Sequence, residues 1–136
     1  MKTLRQFLKL FLLFVLFQGI VSCMKPIVIQ DSGKTYNLSE DDPFQIILPG
    51  NPTTGYTWEL LPFNEEVVKL VGEPEYQVKD DKIGSGGIYT YHFQAVADGQ
   101  AELYFRYHRK WDTVAPPSKT FEVKVVCGTM GRILED

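Results

Sequence analysis

Apolar and polar residues alternate along this 136-residue chain in short runs that turn-forming residues separate. Between residues 89 and 95, bulky or apolar side chains occupy the odd positions and polar side chains the even positions. The same alternation recurs over residues 101–107 and 121–125, whereas helical periodicity is nearly absent. A period of two is typical of strands with one buried face. The pattern therefore predicts an all-β sandwich or barrel, with one face of each of these strands in a common core.

The alternating runs and the turn signals between them predict nine strands: residues 27–29, 35–38, 44–48, 56–61, 67–71, 76–79, 88–95, 101–107 and 119–126. Asp98-Gly99 predicts a hairpin turn over residues 97–100, because Asp-Gly favours the backbone conformations of two-residue hairpins. Residues 113–118 contain two prolines and are expected to form a loop. The polar tail, residues 128–136, has no predicted partner and is expected to fray.

The turn before the fourth predicted strand is the most informative segment of the chain. Pro52 fixes its own φ and restricts Asn51, while Gly55 can adopt a positive φ. Thr53 and Thr54 lie between these positions, and their β-branched side chains have stiff χ1 angles. We therefore expect a rigid turn that presents two threonines to a partner at little entropic cost.

Two further segments have the composition of contact loops. Residues 81–87 are Gly-rich, so their backbone could pair with a partner where side chains would clash. They lack the Lys-Ser/Thr ending of a phosphate-binding loop and precede a strand rather than a helix. Residues 106–112 end another strand with cations and Trp111. Trp58 alternates inward as a core residue would, whereas Trp111 beside Arg109 has the composition of an interface anchor.

In this order the three segments resemble the loops of the chagasin-type inhibitors of papain-like cysteine peptidases. That family carries an N-P-T-T-G-aromatic loop, a G-x-G-G loop and an R-P-W/F loop. Here the first motif reads NPTTGY over residues 51–56, and the second reads GSGG over residues 84–87. The third reads RKW over residues 109–111, with Lys110 where the family usually has proline. The resemblance covers roughly residues 34–126.

The resemblance implies an all-β, immunoglobulin-like β-sandwich over residues 23–136, with three binding loops at one end. It implies a reversible inhibitor rather than an enzyme, with no cofactor, that occludes the active-site cleft of a papain-like cysteine peptidase. Thr53 would then lie closest to the catalytic thiolate, the Gly-rich loop along the unprimed side, and Arg109 and Trp111 over the primed side. The implied peptidase-binding residues are Asn51, Pro52, Thr53, Thr54, Gly55, Tyr56, Gly84, Ser85, Gly86, Gly87, Arg109, Lys110 and Trp111.

An exported immunoglobulin-like adhesion or ligand-binding module is the main alternative, and enzyme action ranks third. His92 lies on the polar face of its predicted strand. His108, Asp112 and Ser85 are the residue types of a catalytic triad. No nucleophile elbow or metal-binding histidine spacing accompanies them.

The first 22 residues have the features of a secretory signal peptide. The first nine residues carry three cations and no acid, residues 10–17 are continuously apolar, and smaller residues lead to Cys23. The apolar run is shorter than the ~20 residues that span a bilayer as a helix. Residues 20–23 also resemble a bacterial lipobox, in which Cys23 is lipidated, and cleavage without a lipid is the alternative. The protein is expected to be exported, either secreted or lipid-anchored to the cell envelope.

The net charge limits the classes of partner, and the cysteine content limits the possible disulfides. Without residues 1–22 the chain carries 11 Lys and Arg against 17 Asp and Glu, a net charge of −6. This acidity and the lack of a basic stripe argue against nucleic acid binding. The two cysteines allow at most one bridge. If Cys23 is lipidated, Cys127 remains alone, and its place after an apolar strand predicts a buried, inert thiol. The free protein is expected to be a monomer.

Overall fold

The computed structural model describes residues 24–129, which form nine strands and two short 3-10 turns. The predicted signal peptide, Cys23 and residues 130–136 of the predicted tail lie outside this range. All nine predicted strands are present, each within two residues of its expected limits. They are β1 (Ile27–Val28), β2 (Thr35–Leu38), β3 (Pro43–Gly50), β4 (Tyr56–Leu60), β5 (Val68–Leu70), β6 (Glu75–Val78), β7 (Gly87–Ala95), β8 (Gly99–Arg109) and β9 (Lys119–Cys127).

The strands form two sheets that pack face to face as an immunoglobulin-like β-sandwich, which confirms the predicted fold. One sheet has the order β1-β3-β7, with β5 and β6 both pairing to the far edge of β7. The other has the order β2-β9-β8-β4. Two edge pairs, β1 with β3 and β2 with β9, are parallel, and the remaining pairs are antiparallel.

The core consists of the inward-facing residues that the alternation predicted. Phe93 of β7, Phe105 of β8 and Phe121 of β9 are almost completely buried, and their rings form edge-to-face contacts. Trp58 of β4 is also buried, as expected. Large aromatic side chains remove much apolar area from water, and edge-to-face pairs add specific attraction. Aromatic packing across the two sheets therefore stabilises the frame that carries the loops.

The hairpin predicted at residues 97–100 is wrong. β7 belongs to the five-stranded sheet and β8 to the four-stranded sheet, so the chain crosses between sheets at this point. Gly99 begins β8 with a φ of 142°, and a Cβ there would approach Val67 to 2.7 Å. Asp98-Gly99 does mark a change of direction, but β8 enters the opposite sheet instead of pairing with β7.

Within residues 24–129, no helix has the length and apolar character needed to cross a membrane. The same range holds no group of three or more His, Cys, Asp or Glu residues placed to bind a metal ion.

Candidate functional site

Three loops meet at one end of the sandwich. Loop 1 (residues 51–55) joins β3 to β4, loop 2 (residues 79–86) joins β6 to β7, and loop 3 (residues 110–118) joins β8 to β9. The strand register brings their bases together. Gly50 at the end of β3 pairs with Gly87 at the start of β7, and Tyr56 at the start of β4 pairs with Arg109 at the end of β8. Loop 1 therefore lies between loop 2 on one sheet and loop 3 on the other.

Loop 1 is held in shape by its own hydrogen bonds. Residues Pro52–Thr54 form a 3-10 turn, and the Asn51 side chain caps it. Asn51 Oδ1 accepts hydrogen bonds from the backbone N–H of Thr53 (3.1 Å) and from its hydroxyl (2.6 Å). The Thr54 hydroxyl donates to the Asn51 carbonyl at 2.7 Å. Gly55 ends the turn with a φ of 81°, a conformation that glycine adopts without strain.

The Asn51 amide also joins loop 1 to loop 2. Asn51 Nδ2 donates a hydrogen bond to the Gly84 carbonyl at 2.8 Å. Gly86 is buried beneath this contact, and a Cβ there would lie 3.1 Å from the Gly50 carbonyl oxygen and 3.3 Å from Asn51 Cβ. Glycine is therefore needed at residue 86 for two reasons, its φ of 75° and the close approach of the two loops.

Loop 2 has an ordered tip in which one apolar residue is fully exposed. Asp80 Oδ1 accepts a hydrogen bond from the Lys82 N–H at 2.8 Å, and the Ser85 hydroxyl donates to the Lys82 carbonyl at 2.9 Å. The hydrogen bond from Lys82, with a further contribution from Ser85, lowers the pKa of Asp80 below its ordinary value. Ile83 lies between these contacts and is fully exposed to solvent. The loop therefore has a defined shape and an apolar side chain at its tip.

Arg109 and Trp111 join loop 3 to loop 1. The Arg109 guanidinium lies 4.6 Å from the centre of the Tyr56 ring and 6.0 Å from that of Trp111, and its Nε donates to the Thr54 carbonyl at 3.3 Å. The Trp111 ring covers Gly55, where a Cβ would overlap it. Trp111 nevertheless remains 71% exposed, so it is not a core residue. The six-membered ring of the indole thus lies against loop 1 at Gly55, and most of the side chain is open to a partner.

A model of the chagasin family of peptidase inhibitors (I42) matches residues 37–125, which include all three loops and most of both sheets. The chain belongs to this family. Amoebiasin-1 of Entamoeba histolytica is 30% identical over 95 residues, which cover 70% of this chain and 91% of the relative. Chagasin of Trypanosoma cruzi is 29% identical over 96 residues, which cover 68% of this chain and 87% of the relative.

A solved structure supports the fold assignment independently. The crystal structure of a cysteine protease inhibitor from Entamoeba histolytica superposes with a TM-score of 0.68. The match covers 75% of this chain and 93% of the inhibitor at 20% sequence identity. The prediction of a chagasin-type inhibitor is confirmed, and membership of an inhibitor family decides against the adhesion module and the enzyme.

The residue types of a catalytic triad do not assemble. His108 Nε2 lies 2.7 Å from Glu59 Oε2 on β4, so the imidazole pairs with Glu59 rather than with Asp112. Asp112 instead accepts hydrogen bonds from the backbone N–H groups of residues 114 and 115, and the Ser85 hydroxyl is bound within loop 2. Partial burial acts to raise the pKa of Glu59, but hydrogen bonds from His108 and Arg106 outweigh it and keep the pKa below its ordinary value.

All thirteen predicted site residues lie at the loop end, within the loops or at the strand ends that carry them. The sequence-based prediction missed three features: the hydrogen bond from Asn51 to loop 2, the stacking of Arg109 on Tyr56, and the exposed apolar residues at the tips of loops 2 and 3. Ile83 and Val114 at these tips are almost fully exposed. An isolated branched aliphatic residue within a polar, glycine-rich or proline-rich loop is a signal that could have identified them.

Cys127 lies away from the loops, at the end of β9, and is free and fully buried. Burial raises the pKa of its thiol, and the carboxylate of Asp98 adds to the effect. A thiol with a raised pKa is a poor nucleophile, because the thiolate is the reactive species. The prediction of a buried thiol is confirmed, and the inert character follows from its environment.

Proposed function

We propose that this protein inhibits papain-like cysteine peptidases reversibly, by placing the three-loop end in the active-site cleft. The observation that carries the proposal is the central position of loop 1. Its neighbours are bound to it on both sides, through Asn51 to loop 2 and through Arg109 and Trp111 to loop 3. Such a surface is organised before binding, so little conformational entropy is lost when it meets a cleft.

Within this proposal Thr53 of loop 1 lies closest to the catalytic thiolate. Thr53 is exposed, and its hydroxyl already donates to Asn51 Oδ1 at 2.6 Å. The side chain is therefore held at the surface by the loop itself. The backbone of residues 84–87 runs along the unprimed side, and Arg109 and Trp111 cover the primed side, where Trp111 packs on apolar or aromatic residues.

The inhibitor is expected to survive contact with the catalytic thiolate. A substrate lies extended across the subsites, with its scissile carbonyl oriented towards the attacking sulfur. Residues Pro52–Thr54 instead form a 3-10 turn with a proline at its first position. Because Pro52 fixes φ and the hydrogen bonds of Asn51 hold the turn, the carbonyls of residues 52–54 are kept out of the extended geometry of a substrate.

Steady-state kinetics test the proposal directly. The purified protein should inhibit papain competitively and reversibly at or below micromolar concentration, and should leave serine peptidases and metallopeptidases fully active. Uninhibited papain at micromolar protein would contradict the proposal. Mass spectrometry after long incubation with papain should show an intact loop 1.

We also propose that the protein is exported and acts as a monomer outside the cytoplasm. The support is the charged, apolar and small-residue order of residues 1–22. Mass spectrometry of the mature protein should find an N-terminus at Cys23 with a lipid mass, or within two residues of it without one. A mature protein that retains Met1 would contradict export in both forms.

A further inference from the structure

Besides Arg109, a second side chain of β8 hydrogen bonds directly to the backbone of loop 1. Tyr107 belongs to β8, is only 7% exposed, and faces the core. Its hydroxyl accepts a hydrogen bond from the Asn51 N–H at 2.9 Å. None of the three motifs contains this tyrosine.

The orientation of the Tyr107 ring is fixed by its neighbours. The ring stacks on Tyr56, with centroids 5.4 Å apart and planes 25° from parallel, and packs against Trp58 with centroids 4.9 Å apart. Trp58 in turn donates a hydrogen bond from Nε1 to the Pro49 carbonyl at 2.8 Å. Two buried aromatic side chains therefore bind the backbone on the β3 side of loop 1, at Pro49 and at Asn51.

We infer that Tyr107 is a positioning residue for inhibition: its hydroxyl sets the place of Asn51, and Asn51 sets the place of loops 1 and 2. This inference rests on the proposed function, because it concerns the loops that would enter the cleft. Asn51 caps the turn that holds Thr53 and donates to Gly84 of loop 2. A shift of Asn51 would therefore move both contacts together.

The requirement is for the hydroxyl rather than for the ring. A phenylalanine at residue 107 would keep the stacking with Tyr56 and Trp58 but would leave the partly buried Asn51 N–H without its acceptor. A donor that loses its partner is costly, so the loop would shift to let water reach it. The frame would stay folded while the geometry of the binding loops became less uniform.

Tyr107→Phe tests this inference, with Tyr91→Phe as its matched control. Tyr91 is equally buried, at 4% exposure, and belongs to β7 of the other sheet, where it packs on Phe105. Both changes remove one hydroxyl from a core tyrosine. In the free protein, amide hydrogen exchange at Asn51 should accelerate by about tenfold or more in Tyr107→Phe and stay unchanged in Tyr91→Phe.

Inhibition of papain supplies the second readout. The inhibition constant should rise by about tenfold in Tyr107→Phe, the effect of one lost hydrogen bond, and stay within twofold in Tyr91→Phe. Unchanged Asn51 exchange and unchanged inhibition in folded Tyr107→Phe would overturn the inference. Equal losses in both variants would also overturn it, since they would show a general effect of stability.

Thr53→Ala separates this inference from the proposed function. If Thr53 enters the cleft, Thr53→Ala weakens inhibition. Adding Tyr107→Phe to Thr53→Ala should then cost less than Tyr107→Phe costs alone, because the Thr53 side chain that Tyr107 helps to position is already absent. Strictly additive losses would contradict the mechanism through loop 1. If Thr53→Ala has no effect, the cleft assignment of loop 1 fails, and the exchange rate of Asn51 alone decides whether Tyr107 positions the loop.

Discussion

Loop 1 and loop 3 lie side by side, but they obtain their order in different ways. Loop 1 uses its own polar groups: the Asn51 and Thr54 side chains hydrogen bond within the turn. At its start, loop 3 is held chiefly through its neighbour, because Arg109 stacks on Tyr56 and Trp111 lies on Gly55. We therefore expect the start of loop 3 to depend on loop 1 more than loop 1 depends on loop 3.

Because of this difference, mutations in the two loops should have unequal effects on the neighbouring loop. A change that disturbs the surface of loop 1 should also displace loop 3, whereas truncating loop 3 should leave loop 1 intact. The two loops also differ in the side chains that they expose. Loop 1 presents small hydroxyl side chains, and loop 3 presents the exposed indole of Trp111 and the exposed Val114.

The largest loss of inhibition is expected from Gly55→Ala. A Cβ at residue 55 would overlap the Trp111 ring, and the φ of 81° is unfavourable for alanine by roughly 1–2 kcal/mol. If loop 1 shifts to relieve this strain and Trp111 is displaced, binding should weaken by about 3 kcal/mol, or roughly a hundredfold in the inhibition constant for papain.

Gly33→Ala is the matched control for that variant. Gly33 also has a positive φ, of 88°, but no atom lies within 4 Å of the position of its missing Cβ, and it is outside the three loops. The control should lose stability in a denaturant titration yet keep its inhibition constant. Equal inhibition by Gly55→Ala and Gly33→Ala would show that loop 3 does not depend on loop 1.

Trp111→Ala should weaken inhibition by on the order of 2 kcal/mol, about thirtyfold, because it removes a large exposed anchor. Loop 1 should keep its structure, since its hydrogen bonds do not involve Trp111. The Asn51 and Thr53 amides should exchange with deuterium as slowly as in the unmodified protein. An unchanged inhibition constant would remove loop 3 from the proposed contact surface.

Lys110→Pro should act in the opposite direction and more weakly. The Asp112 N–H donates to the Arg109 carbonyl at 3.1 Å, so Lys110 occupies the second position of a four-residue turn, where proline is favoured. Proline would restrict the unbound chain and strengthen binding by roughly 0.4–1 kcal/mol, a few-fold in the inhibition constant. Weaker inhibition by a folded Lys110→Pro protein would show that loop 3 must rearrange on the peptidase.

Cys127→Ala should leave inhibition unchanged, since the buried thiol lies away from the loops and takes no part in the contact. The free energy of unfolding should fall, because a fully buried side chain is shortened. Denaturant titration and the papain assay separate the two effects. A large loss of inhibition in the folded variant would mean that the binding surface extends to the end of β9.

The strands could be predicted because burial follows alternation, and alternation is a local property of the sequence. The exposure of Trp111 could be predicted for a similar reason, since polar residues surround it on both sides. The prediction of a hairpin at residues 97–100 is wrong because Asp98-Gly99 specifies a bend but does not specify which sheet receives the next strand. The bonds from Asn51 to Gly84 and to Tyr107 join residues 33 and 56 positions apart, so they depend on tertiary neighbours that no local pattern reveals.

Disulfide trapping in the complex tests the central claim most directly, because it reports which residue lies beside the catalytic thiol. Thr53→Cys should form a mixed disulfide with the active-site cysteine of papain under mild oxidation. Thr35→Cys, at an exposed position on β2, should not react appreciably faster than a free thiol. Rapid trapping at residue 53 alone is the predicted result. Equal rates at the two positions would show that loop 1 does not enter the cleft.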